Sequence, residues 1–161
     1  MSSRHPRLRL RAVLVLVAAL LFGGSAFAQN WFGLRTGYPL GGTAHYGIEN
    51  AFDPGRDARI SANLRIRNND VDFGVGFDYL QAVSVQPPFT LYVGGGPAVD
   101  FGRGGILIEI HGLAGGEFRF TDVNLDPLGI FAEISVGAGF GIGRSSEFPR
   151  IGGAVGFNYH F

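Results

Sequence analysis

The sequence predicts an all-β protein, an eight-stranded antiparallel up-and-down β-barrel, and three observations support this. Apolar residues recur at every second position, as in VDFGVGFDY at residues 71–79, where Asp and Gly fill the alternate positions. Short clusters of Pro, Gly, Asn and Asp separate such segments. No segment shows an apolar stripe with a helical period. Alternation of this length is typical of strands with two different faces.

The predicted strands follow one another along the chain with short turns between them. Turn sequences such as DPGRD, NND and QPP set turn dihedrals and interrupt strand pairing. Connections this short join antiparallel neighbours, which favours a meander. The eight strands are predicted near residues 31–38, 43–52, 58–67, 71–83, 89–100, 106–120, 128–142 and 150–161.

Residues 1–28 are predicted to be a cleaved signal peptide and residues 29–161 the barrel domain. The basic start MSSRHPRLRLR precedes the apolar run AVLVLVAALLF and the small-residue site Ala26-Phe27-Ala28. This apolar run is too short to cross a bilayer as a helix. The chain contains no cysteine, which excludes a disulfide framework and a lipid-modified cysteine.

The charge of the predicted barrel domain is negative. The chain has thirteen basic residues, all of them Arg, and thirteen acidic residues. Four arginines belong to the predicted signal peptide, which leaves nine against thirteen acidic residues and a formal charge of −4. This balance excludes nucleic acid as an electrostatically bound partner.

The third and fourth strands predict their own register. A two-residue turn at Asn68-Asn69 would place opposite charges face to face on one side of the hairpin and apolar residues face to face on the other. A slip of one residue would reverse both faces. The opposed pairs are then Arg65 and Asp72, Arg59 and Asp78, Leu64 and Phe73, and Ile60 and Phe77.

The volume of the apolar face predicts that it points outward, towards lipid. An eight-stranded barrel has an interior just wide enough to be filled by side chains, and roughly thirty large apolar residues would overfill it. The other face consists mainly of small, polar and charged residues, which suit a narrow lumen. Closure of the sheet also removes the unpaired edges that lipid would not tolerate. We therefore expect a transmembrane β-barrel.

Aromatic residues cluster at the strand ends predicted to be periplasmic, as in the girdle of a membrane barrel. The final segment AVGFNYHF also places Phe157, Tyr159 and Phe161 on alternate positions. Apolar residues at a chain end indicate an apolar environment, because an unanchored end gains nothing from them. The predicted girdle comprises Trp31, Phe32, Phe52, Tyr79, Phe89, Phe118, Phe120, Tyr159 and Phe161.

With these eight alternating strands and the ending GFNYHF, the chain resembles the small bacterial outer-membrane β-barrels of the OmpA/OmpX and opacity-protein type. The resemblance implies export to the outer membrane and contact with its lipids. It also implies that Phe157, Tyr159 and Phe161 are the signal for the barrel-assembly machinery. These barrels often carry long extracellular loops, whereas the turns here are short, which argues against an adhesin or a receptor.

The inward face is predicted to form an ionic network that plugs the lumen, because charges in a poorly solvated space must be paired. Three histidines on separate strands are typical of hydrogen-bonded filling rather than of a metal site, and we expect no cofactor. The predicted network comprises Arg35, Glu49, Arg59, Arg65, Asp72, Asp78, Glu109, His111, Glu117, Arg119 and Glu133, with His45 and His160 on the same face.

The expected function is a structural or interaction role in the cell envelope, without catalysis. One alternative is a narrow pore for ions or small solutes through the lumen. Another is a lipid-modifying enzyme, in which His111, Ser135 and Glu109 or Glu133 would form a Ser–His–acid set. The lipid A deacylases of this shape carry a Ser two residues after the His, whereas residue 113 here is Leu.

A soluble ligand-binding barrel of the periplasm is the rival to the membrane barrel. In that fold the apolar face would line an internal cavity. Three apolar residues predicted to point inward, Leu107, Leu113 and Phe131, are compatible with it.

Overall fold

The computed structural model describes residues 30–38, 40–50, 53, 55–67, 70–102, 104–121 and 125–161, and the predicted signal peptide lies outside them. The described residues form strands that pair in chain order, and the last strand pairs with the first to close a barrel. None of this part of the chain forms a helix long and apolar enough to cross a membrane. The strands are β1 (Asn30–Tyr38), β2 (Gly41–Glu49), β3 (Arg56–Arg67), β4 (Asp70–Gln86), β5 (Phe89–Gly102), β6 (Gly105–Phe120), β7 (Leu125–Ile142) and β8 (Glu147–His160).

The predicted fold, an eight-stranded antiparallel barrel, is confirmed, but several strands run further than the alternation indicates, and β4 and β7 are two of those with the largest extensions. The start of β7 was expected at residue 128, whereas Leu125 already pairs with Phe120. Similarly, β4 continues to Gln86 rather than ending at residue 83. A register shift accompanies each extension. An irregularity of this kind breaks the period of two, so alternation alone could not reveal the added residues.

The register predicted for β3 and β4 is confirmed at all four opposed pairs. The faces are also correct, because Ile60 and Phe77 are exposed while Arg59 and Asp78 are buried. The predicted turn residues Asn68 and Asn69 lie outside the described part of the chain.

The strands are strongly tilted in the closed sheet. Successive cross-strand neighbours lead from Asn30 around the barrel to Ile151. Ile151 lies two residues before Gly153, the partner of Tyr38, and is therefore level with position 40 of the chain. One circuit around the barrel along cross-strand neighbours therefore starts at position 30 of β1 and returns at the level of position 40. This stagger of ten residues corresponds to a strand tilt of about 40°.

The two ends of the barrel differ in their connections. The end that holds Asn30 and Phe161 is called the base, and these residues exchange two backbone hydrogen bonds of 3.1 and 2.9 Å that complete the closure. The opposite end, which includes Tyr38 and Gly41, is called the mouth. Because every connection in the described topology is a hairpin, the strand ends alternate between these two levels.

The exterior of the barrel is apolar and the lumen is polar. Phe, Ile, Leu, Val and Tyr side chains from all eight strands are exposed on the outside. The buried residues include the polar and charged residues of the inward face, together with Leu107, Leu113 and Phe131. The apolar face therefore points outward, which is the arrangement of a membrane barrel and the reverse of a soluble ligand-binding barrel.

The predicted aromatic girdle requires one correction. Trp31 points into the lumen, where it is buried and stacks on His160, because odd-numbered residues of β1 share the inward face with Arg35. Phe89, Phe118 and Phe120 lie near the base and contact one another edge to face. Phe52 lies outside the described residues.

Candidate functional site

Arg59 lies at the centre of the lumen network, between carboxylates from two other strands. Its guanidinium donates to Asp78 of β4 at 3.0 Å and to Glu133 of β7 at 2.5 Å. Arg35 of β1 donates to Glu133 at 2.5 Å, and the hydroxyl of Tyr92 donates to it at 2.9 Å. The side chains of Arg59 and Glu133 are only 2% and 4% exposed. Side chains from five strands therefore meet in one enclosed group, called the central cluster.

His111 connects the central cluster to the groups nearer the mouth. Its Nε2 lies 2.8 Å from Oδ1 of Asp78, and its Nδ1 lies 3.7 Å from a carboxylate oxygen of Glu109. Asp78 thus contacts both Arg59 and His111. The imidazole spans the gap between two carboxylates, which makes the network continuous along the barrel axis.

Two arginines and two carboxylates form a ring of ion pairs towards the mouth. Arg65 is hydrogen-bonded to Asp100 and lies 3.4 Å from Glu109. Arg150 lies 3.3 Å from Asp100 and 3.2 Å from Glu109. Because each arginine contacts both carboxylates, none of the four charges depends on a single partner.

The turn between β7 and β8 adds another pair at the mouth. Arg144 lies 3.0 Å from Asp72, on the far side of the lumen, and 3.6 Å from Glu147. The backbone of Arg65 lies opposite that of Asp72, as the sequence predicts. Their side chains nevertheless contact different partners, because a long arginine can extend across a narrow lumen.

The base of the lumen combines histidines with carboxylates. His160 lies 2.7 Å from Glu117, and His45 lies 2.8 Å from the side-chain oxygen of Asn158. The backbones of Glu49 and Asp57 lie opposite each other on β2 and β3. Arg119 is half-buried near the same end. This end is the more acidic part of the lumen.

An apolar layer fills the lumen near the base. Trp31, Leu80 and Leu113 are buried together, and Tyr92 packs against them. The Trp31 ring occupies the place where a Cβ on Gly47 would lie, so glycine at position 47 gives the indole its room. Side chains therefore occupy most of this part of the lumen, as expected for eight strands.

Several lumen residues were missed by the sequence analysis. Arg150 and His160 both occupy even-numbered positions of β8 and therefore share its inward face, so alternation along that strand could have identified Arg150. Asp100 lies between the outward residues Val99 and Phe101, but the GGGP sequence at 94–97 obscures the pattern. Arg144 belongs to a turn, and no sequence signal places its side chain in the mouth.

Within the described residues, two cavities lie in the lumen on either side of the central cluster. The larger, of about 90 Å³, lies towards the mouth and is lined by residues that include Arg35, Glu109 and Glu133. The smaller, of about 60 Å³, lies towards the base, and Arg59 lines it. The ion pair between Arg59 and Glu133 therefore separates the two cavities.

The residues considered for catalysis lie on neighbouring strands. His111 and Ser135 both line the larger cavity, but Ser135 lies opposite Leu113, whereas His111 lies opposite Gly137. The Nε2 of His111 contacts Asp78. Among the described residues, no group of three or more His, Asp or Glu side chains is arranged to hold a metal ion.

The fold is similar to those of two solved barrels. Neisserial surface protein A (NspA) matches with a TM-score of 0.57 and 12% identity, over 83% of this chain and 94% of that chain. The N-terminal β-barrel domain of Pseudomonas aeruginosa OprF matches with a TM-score of 0.52 and 13% identity, over 83% of this chain and 96% of that chain. The sequence matches no protein family and no curated protein.

Both solved structures are outer-membrane barrels. At these low identities the likeness establishes the fold. The resemblance to small bacterial outer-membrane β-barrels is confirmed at that level.

Proposed function

We propose that this chain, which has the fold of the small outer-membrane barrels, is an integral protein of the bacterial outer membrane. The observation that carries the proposal is the apolar exterior of a closed barrel whose lumen is charged. Water would not favour so many exposed Phe, Ile and Val side chains on one continuous surface, whereas lipid would. Outer-membrane lipids are then its immediate partners, and residues 1–28 direct its export.

The proposed role is structural or interaction-based, with the lumen closed by its own side chains. The enclosed ion pairs of Arg59 support this role, because separating them would leave charges without partners in a poorly solvated space. Ser135 lies opposite Leu113 rather than opposite His111, which also supports a role without catalysis. If the barrel modified lipid A, expression would change lipid A mass, and His111→Ala would abolish the change. We expect no change in either strain.

Fractionation of cells that express the chain tests the proposed location. We expect recovery in the outer membrane and a mass that corresponds to a mature chain starting at Gln29. On an SDS gel, the protein should migrate faster before boiling than after it. The shift arises because a closed barrel stays folded in SDS until it is heated. Recovery in the soluble periplasm without a shift would contradict the proposal and would mean that the barrel does not face lipid.

A narrow pore is the second candidate, because the lumen has a cavity on each side of the ion pair between Arg59 and Glu133. Planar-bilayer recording distinguishes the candidates. We expect no steady conductance from the wild-type barrel, and stepwise conductance from a variant with both Arg59→Ser and Glu133→Ser. The double substitution removes one charge of each sign, so the net charge of the central cluster does not change. Steady conductance in the wild type would instead favour the pore.

A further inference from the structure

The barrel wall is notched at the mouth, where the β1–β2 hairpin is shorter than its neighbours. The last pair between β1 and β8 is Tyr38 and Gly153, whereas β8 begins at Glu147, six residues further towards the mouth. On the other side Gly41 pairs with Arg65, and β3 continues beyond it. We call the gap above this hairpin the notch.

The edge of β8 along the notch is unsuited to pairing with another strand. Within the described residues, Glu147 and residues 150–152 of β8 pair with β7, whereas none of residues 147–152 pairs with β1. Pro149 lies in this segment and has no N–H to donate. Proline is a common means of protecting a free strand edge. The notch is therefore better suited to a ligand than to an added strand.

The larger cavity opens at the notch. Residues from both sides of the notch line it, including Leu64 and Tyr38 on one side and Ile151 on the other. Its deeper wall is polar. At about 90 Å³ it has room for a small polar group, since a single water molecule needs only about 10–15 Å³ by a comparable measure.

The notch lies at the level of the apolar exterior. Cross-strand neighbours lead from Leu64 through Phe73 and Phe101, and this row climbs towards the rim as the strands tilt. All three side chains are exposed. If the barrel lies in the outer membrane, as proposed above, the notch opens sideways towards lipid. An occupant must then carry a polar group for the cavity and an apolar chain for the opening.

The charges of the cavity narrow the choice of polar group. Three guanidinium groups, those of Arg35, Arg65 and Arg150, line it together with the carboxylates of Glu109 and Glu133. A head group with a single charge would meet groups of its own sign. A zwitterion can exchange partners with an existing ion pair and leave no charge unpaired.

We propose that the notch and its cavity form a lateral binding site for a zwitterionic phospholipid. The phosphate contacts arginines of the cavity, the ammonium group contacts its carboxylates, and an acyl chain leaves through the notch over Leu64 and Ile151. On the exterior below the notch, a Cβ at Gly42 would meet no atom within 4 Å, which leaves room for this chain. The site rests on the proposed membrane location.

Lipid retention by the purified, delipidated full-length barrel tests this site. Native mass spectrometry would compare phosphatidylethanolamine, phosphatidylglycerol and diacylglycerol at equal concentrations. We expect phosphatidylethanolamine to bind at least about tenfold more tightly than either of the others, a difference of about 1.4 kcal/mol, because it alone can pair with both signs of charge in the cavity and leave no charge unpaired. Equal retention of all three lipids, or preference for the anionic lipid, would overturn the proposal.

A substitution that fills the cavity provides the second test. Ser135 lines the cavity on β7, so Ser135→Leu should abolish the preference for phosphatidylethanolamine. The matched control is Ser84→Leu near the base end of β4, which should leave the preference intact. Unchanged selectivity in Ser135→Leu would overturn the site. The heat-dependent gel shift of each variant shows separately whether that variant is folded. If the wild type showed no gel shift, the proposed membrane location would be contradicted rather than the lipid site.

Discussion

At the scale of single residues, Arg59 shows how the lumen tolerates charge. Its partner Asp78 lies opposite it on the next strand, whereas Glu133 comes from β7, and all three side chains are almost fully enclosed. The favourable term is short-range attraction together with hydrogen bonds, and the opposing term is loss of hydration. Removing one partner loses the attraction and the hydrogen bonds, while the remaining buried charge still lacks its hydration.

We expect Arg59→Gln to lower the free energy of unfolding by about 3–5 kcal/mol, because Asp78 and Glu133 would be left without their shared cation. Urea unfolding of the barrel in vesicles measures the change. Arg56→Gln is the matched control, since Arg56 pairs with Asp53 at 2.6 Å but both are about half exposed. This control should cost only about 0–1 kcal/mol. Equal losses in the two variants would contradict the enclosed network.

Residue parity predicts which side chains enter the lumen better than it predicts their partners. The eleven network residues follow from alternation along each strand, and the buried carboxylates Asp78 and Glu133 are among them. The contact between Arg65 and Asp100 is not predictable in this way. Alternation is a local property of one strand, whereas a partner across the lumen depends on the curvature of the whole sheet.

At the scale of the strand, β7 shows how neighbouring residues face different environments. Ile134 is 69% exposed on the outside, while Glu133 points into the lumen. A strand in a membrane barrel alternates between lipid and lumen at every residue. The effect of a charge therefore depends on its face and its height in the barrel.

We expect Ile134→Arg to destabilise the barrel by about 2–4 kcal/mol, because Ile134 faces outward on the middle part of a membrane-spanning strand. Phe148→Arg, on an exposed residue near the mouth, should cost only about 0–1 kcal/mol. Urea titration in vesicles gives both values. The membrane placement fails this test if Phe148→Arg proves as costly as Ile134→Arg.

At the scale of the whole molecule, closure depends on the pairing of the first and last strands. Phe161 completes this pairing through two backbone hydrogen bonds with Asn30, and its ring lies near those of Tyr46 and Tyr159. The backbone contacts do not depend on the aromatic side chain. A role of that side chain in assembly can therefore be separated from its role in the folded barrel.

We expect Phe161→Ala to reduce the yield of folded barrel in cells, because the assembly machinery is proposed to recognise Phe157, Tyr159 and Phe161. Once folded, the variant should retain the heat-dependent gel shift. Phe140→Ala removes another exposed aromatic side chain from the barrel and serves as the control. The ratio of folded to unfolded bands in isolated membranes measures the yield. Equal yields for the two variants would refute the assembly signal.

The sequence by itself determined the number of strands, their order, the outward apolar face and the register of β3 with β4. These properties depend on alternation and short turns, which act between residues close in the chain. Only the tertiary structure decided the inward position of Trp31, the ring of Arg65, Asp100, Glu109 and Arg150, and the notch beside the mouth cavity. Each of these depends on the stagger with which the sheet closes, which brings together residues from strands that are not neighbours in the sequence.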